Sequence, residues 1–219
     1  MLDFSLLTRP NYRELFVCLP DEIERSIEVL PETSARFLAA LRFCWYVSAT
    51  PDVLFSEEPK ATRLREAFLR ASLAEYVSIE DTLKRDLLKL NLTARPIKIF
   101  SLENPLLHIM RVLRNLEIHL TSAKLSHSKK DVVAVVSEAE HQSQTTIWTI
   151  DYLTVEKFRE PYKVSEHYSK PETESMVKWL NEAQYDWGVN HLLFRAICEW
   201  ASAIVERYSL GSRLASNQN

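Results

Sequence analysis

Apolar residues recur at three- and four-residue spacings through most of the chain, the rhythm that lines them along one side of an α-helix. The clearest case runs from about Lys60 to Leu90, with Leu64, Ala67, Phe68, Ala71, Leu73, Ala74 and Val77 in register. Ser78-Ile79-Glu80-Asp81 has the look of a capped start, so the run reads either as one long helix or as two broken near Val77. Upstream, Asp21 to about Leu30 reads as a short amphipathic helix ended by Pro31. Glu32-Thr33-Ser34 then offers caps for a helix from about Ser34 to Ser48. That second helix is apolar on most sides, as befits the middle of a bundle.

Asn91 to Phe100 reads as a connection. Ser101-Leu102-Glu103-Asn104-Pro105 then resembles a helix start, with a capping Ser or Asn before an early proline, and the helix is expected to run to about Ala123. The period changes afterwards. Asp131–Val136 and Thr145–Tyr152 are dense in β-branched and aromatic residues and flank the polar stretch Glu138–Ser143, which predicts a β-hairpin inserted at about 130–153. Glu156 to Pro171 is charged and reads as irregular. Two last helices, about Glu172–Tyr185 and Val189–Tyr208, meet at Asp186-Trp187-Gly188, where Gly188 can adopt the left-handed conformation that ends a helix. The expected architecture is a mainly α, antiparallel helical bundle with one small β-hairpin. Residues 1–210 form a single domain, and the small, polar tail 211–219 is disordered.

Composition agrees with helices and narrows the chemistry. The 219 residues are 46% hydrophobic and 26% charged, an ordinary globular balance, and include only two glycines, Gly188 and Gly211. Glycine-rich phosphate loops and the glycine-flanked elbow of serine hydrolases are therefore excluded. The net charge of -3 supplies no general attraction to nucleic acid, so any RNA contact must come from a local basic face. Cys18, Cys44 and Cys198 are scattered in apolar surroundings without ligand spacing and read as reduced core residues; no metal or other cofactor is implied. Asp3, Arg9 and Arg13 interrupt the apolar N-terminus, unlike a signal peptide, and no stretch reaches the roughly 18 apolar residues of a membrane span. A cytoplasmic location, away from membranes, is expected.

One helix face carries chemistry. On a wheel of residues 106–120, Leu106, Ile109, Leu113, Leu116 and Leu120 fall within about 80° and form a core stripe. Opposite them, His108, Arg111, Asn115 and His119 fall within about 80° of one another, Arg114 lies about 60° further round, and Leu107 and Ile118 lie between. Two arginines, an amide and two imidazoles around two aliphatics make a surface that is half interface and half site.

Arg114, followed by Asn115 and then by His119, resembles the R-x4-6-H motif of the HEPN superfamily, in which a polar residue commonly follows the arginine. The resemblance implies an all-α bundle, a homodimer that sets two motifs face to face, and metal-independent cleavage of RNA, in a toxin–antitoxin or phage-defence setting. It covers six residues closely and the bundle loosely. Arg114 and His119 would be the catalytic pair, and Asn115, Arg111 and His108 the supporting residues, of which the motif names only Asn115. The residue types suit the task. An imidazole titrates near neutrality and can move a proton, and a guanidinium fork can hold two phosphate oxygens. The alternative is a catalytically silent helical or RNA-binding module that uses the same face to hold a partner protein, such as an antitoxin-like nucleotidyltransferase.

Other histidines carry weaker signals. His127 and His141 flank the expected hairpin and read as solvated loop residues. His167 reads as a surface residue, and His191 as a packed one near a helix start. Glu75, Glu80 and Asp81 are candidates, by location, for an acidic group near the site.

Overall fold

The computed structural model of the chain describes residues 2–7, 18–49, 58–91, 95–119, 124–136, 139–151, 153–161 and 164–210; at 49, 58, 59, 117–119, 132–136 and 139–145 it describes the backbone only. The tail 211–219, expected to be disordered, lies outside the described residues. Eight α-helices and one antiparallel strand pair are found among them. In chain order these are α1 (Asp21–Ile27), α2 (Pro31–Ala49), α3 (Glu58–Lys89), α4 (Pro105–His119), β1 (Leu125–Val136), β2 (Ala139–Ile150), α5 (Val155–Arg159), α6 (Val164–His167), α7 (Lys170–Trp187) and α8 (Val189–Tyr208). The fold is thus mainly α with a small β-hairpin. None of the helices is long and apolar enough to cross a membrane.

The run from 58 to 89 is one helix of 32 residues, about 48 Å long. Ser78 does not cap a new helix. Its hydroxyl donates to the Ala74 carbonyl at 2.8 Å, one turn back, which leaves the backbone ladder intact. Asn91, at φ +54°, takes the left-handed conformation just past the end of α3. Helix α2 begins three residues before the expected position, because Pro31 has no N–H to lose in a first turn. Its cap comes from elsewhere. Buried Asp86 of α3 accepts the Thr33 N–H at 2.8 Å.

The contacts of α2 with α3 pair Thr33 with Asp86, Arg36 with Glu75, Ala40 with Ser72 and Phe43 with Phe68, so the two helices run antiparallel. Helix α4 runs alongside α3 in the same direction. Tyr76 donates to the Leu107 carbonyl and Arg111 reaches Glu80, each step advancing four residues on both helices. Helix α8 occupies the centre, touching α1, α2, α3, α4, α7 and the hairpin, with Trp200 fully buried. One hydrophobic cluster extends from Leu19 to Leu210.

The hairpin is longer than its apolar segments suggested. Each strand has 12 residues, paired from Leu125 with Ile150 to Val136 with Ala139, so the polar stretch 139–143 is strand and not loop. Its base is anchored in the core. Leu125, Ile147, Trp148 and Ile150 are buried, and Arg65 of α3 lies over the Trp148 ring at 4.5 Å. Buried Gln184 of α7 extends the sheet edge, accepting from Ile150 N at 2.8 Å and donating to Ile150 O at 3.2 Å. Gly188, at φ +83°, joins α7 to α8; a Cβ there would lie 2.9 Å from Asn190 Oδ1 and 3.3 Å from Trp148 N, so glycine is needed for conformation and for space. The segment 156–171, expected to be irregular, holds α5 and α6, with Thr154 capping the first at Lys157 N.

Candidate active site on helix α4

Asn104 caps α4, accepting the Leu106 N–H at 3.0 Å, and Pro105 follows as the first helical residue. The core stripe is wider than the wheel suggested. Leu106, Leu107, Ile109, Met110, Val112, Leu113 and Leu116 are all buried. Leu107, expected among the polar residues, is only 2% exposed, because α3 packs on that side as well.

The polar side chains fall into two groups. In the first, His108 is 2% exposed and bonded at both ring nitrogens: Nε2 lies 2.8 Å from the Leu102 carbonyl and Nδ1 lies 2.7 Å from the Tyr168 hydroxyl. A carbonyl only accepts, so Nε2 carries the proton and Nδ1 accepts from Tyr168. Burial pushes the imidazole down to about 4, with the Arg111 charge adding in the same direction. It also raises the Tyr168 hydroxyl well above its ordinary value. Arg111 donates to Glu80 Oε1 at 2.5 Å and stands 4.2 Å over the Phe100 ring, whose stacked neighbour at 4.2 Å is His167. His108 and Arg111 are thus held together around Phe100, both engaged by the fold.

The second group lies one turn further on. Arg114 Nη1 donates to Asn115 Oδ1 at 3.1 Å, and both side chains are half-buried. The Arg114 Nε is buried with no hydrogen-bond partner. No carboxylate among the described residues pairs with this guanidinium. The side chain of His119 lies outside the described residues; its backbone closes α4.

Of the acidic candidates, Glu80 binds Arg111 and also accepts the Ile99 N–H at 2.8 Å, whereas Glu75 pairs with Arg36 at 2.6 Å. Phe100 and Tyr168 were not anticipated, since neither belongs to a recurring spacing that points at α4. Outside α4, His127 lies on β1 against Trp148 and not in a loop, His167 is exposed at the end of α6, and the His141 side chain lies outside the described residues. The mostly buried ring of His191 sits 2.5 Å from the Trp187 carbonyl, and burial lowers its pKa. The three cysteines are free thiols; Cys44 is buried, but Cys18 is exposed and not in the core. Among the described residues no group of three His, Cys, Asp or Glu is placed to hold a metal ion.

No protein-family model matches the chain, and no curated protein or solved structure is significantly similar to it.

Proposed function

We propose that this chain is a metal-independent RNA endonuclease of HEPN type, acting as a homodimer, with Arg114 and His119 as its catalytic pair. The observation that carries the reading is the state of Arg114. A half-buried guanidinium that pairs with no carboxylate among the described residues and is steadied by a neighbouring amide suits a role in holding an anion. A phosphodiester fits, because two of its oxygens match the guanidinium fork.

In the reaction the ribose 2′-oxygen attacks phosphorus and the bond to the 5′-oxygen breaks, leaving a 2′,3′-cyclic phosphate and a 5′-hydroxyl. One imidazole takes the proton of the 2′-hydroxyl and another gives a proton to the departing oxygen; a dimer supplies the two from paired copies of His119. Arg114 offsets the charge that grows on the phosphoryl oxygens, and Asn115 orients it. The setting carried by the resemblance is a toxin or phage-defence component inside the cytoplasm.

Purified protein is expected to cleave RNA in the presence of EDTA. His119→Ala is expected to slow cleavage by about 10² to 10⁴ and Arg114→Ala by about 10² to 10³, each with an unchanged melting temperature. If wild-type protein leaves every RNA intact, or both variants cut at the wild-type rate, the silent module that binds an antitoxin-like partner replaces this reading.

A further inference from the structure

Between the 95–102 segment and the last turns of α8 the surface opens into a cavity of about 1010 Å³, lined among the described residues by Arg95, Lys98 and Arg207 and by one carboxylate, Glu206. Among the described lining residues three cations outnumber one anion, a local sign opposite to that of a chain whose net charge is -3. Pro96, Ile97 and Leu102 add apolar lining. Among the described residues no ion pair engages Arg95, Lys98 or Arg207. By contrast, Arg36, Arg111 and Arg195 each grip a carboxylate.

The backbone that carries Arg95 and Lys98 is held in place. Tyr208 Oη accepts from Ile97 N at 2.8 Å and donates to Arg95 O at 3.1 Å, which fixes the backbone on both sides of Pro96. Ser101 Oγ donates to Lys98 O at 2.7 Å, and Ile99 N donates to Glu80. The same Glu80 oxygen receives Arg111, and Arg111 lies on Phe100, which lines the cavity. Phe100 and Glu80 thus connect the cavity lining to Arg111 of α4, and Arg114 stands one helical turn beyond Arg111.

The three cations are exposed, so each attracts a small anion weakly in water. Their contributions add when one polyanion spans them all and releases its counterions. Apolar lining beside exposed cations suits the sugar and base faces of a strand whose phosphates meet those cations. We propose that this cavity is a subsite for single-stranded RNA, in which Arg95, Lys98 and Arg207 hold backbone phosphates of the strand flanking the bond presented to Arg114 and His119. The assignment of RNA rests on the ribonuclease reading above.

The test is fluorescence anisotropy with a labelled 2′-O-methyl RNA oligonucleotide, which lacks the attacking hydroxyl, titrated at several salt concentrations. Arg95→Ala/Lys98→Ala/Arg207→Ala is expected to weaken binding by about tenfold or more and to reduce the log–log salt slope by about 2. The charge-matched variant Lys84→Ala/Lys129→Ala/Lys178→Ala, which alters exposed lysines away from the cavity, is expected to bind nearly as the wild type does. Equal losses in the two triple variants, no loss in the first, or no RNA binding by the wild type overturns the subsite. Cleavage assays separate the two readings. Cavity-dependent binding without any cleavage removes the endonuclease and leaves the subsite; cleavage that needs Arg114 and His119, with binding indifferent to the cavity, does the reverse.

Discussion

Arg111 and Arg114 sit three positions apart on one helix and meet opposite fates. Arg111 reaches Glu80 and the Phe100 ring and becomes part of the framework, whereas Arg114 has an amide for company and, among the described residues, no carboxylate. His108 shows the same division among imidazoles. Its ring is engaged at both nitrogens and held neutral, so it stiffens the approach to α4. Its depressed pKa has a measurable consequence. Between about 4, the folded value, and 6.5, the ordinary one, the unfolded chain binds a proton that the folded chain refuses. Stability is therefore fully present above pH 6.5 and declines as pH falls toward 4, by roughly 3 kcal/mol from this residue alone. The mostly buried His191 adds a loss of the same sign. Urea unfolding from pH 7 down to pH 4.5 is expected to show this decline, and His108→Gln to flatten it. An equally steep decline in the variant would place the effect elsewhere.

At the level of elements, periodicity located the helices well and their ends less well. Spacing in 60–90 was enough for a helix, but the choice between one helix and two turned on Ser78, whose hydroxyl has a capping partner and a back-bonding partner open to it in any sequence. Packing of α3 along α2 and α4 selects the second. The cap of α2 was not legible at all, since its acceptor, Asp86, is 53 residues away. Asp86 is 1% exposed, and its removal leaves the Thr33 N–H without that partner. Asp86→Ala is expected to cost about 1–3 kcal/mol in denaturant unfolding, and Asp86→Asn, which keeps an accepting oxygen, to recover most of it. Equal losses in both would show that charge, not the hydrogen bond, matters there. The hairpin was found through its β-branched segments, and its polar continuation was missed, because strand pairing extends wherever backbones can stay in register, with or without apolar side chains.

For the whole molecule, the proposed chemistry needs two imidazoles at one phosphate while each chain contributes one His119. Light scattering is expected to give twice the 25.5 kDa chain mass at micromolar concentration, and mixing His119→Ala with Arg114→Ala protein is expected to change activity if the two copies share a cleft. A strictly monomeric protein with full cleavage activity would exclude the paired mechanism.

Helical class, the hairpin and the polar residues of α4 were all determined by the sequence itself, because hydrophobic period and residue chemistry are local properties. Which of those polar residues remain available was decided only by the tertiary structure. Burial of His108 and Leu107, the pairing of Arg111 with Glu80 and the basic rim built from residues 95–98 and 207 depend on side chains brought together across long separations in the chain. No wheel drawn on one helix contains the neighbours that cover it.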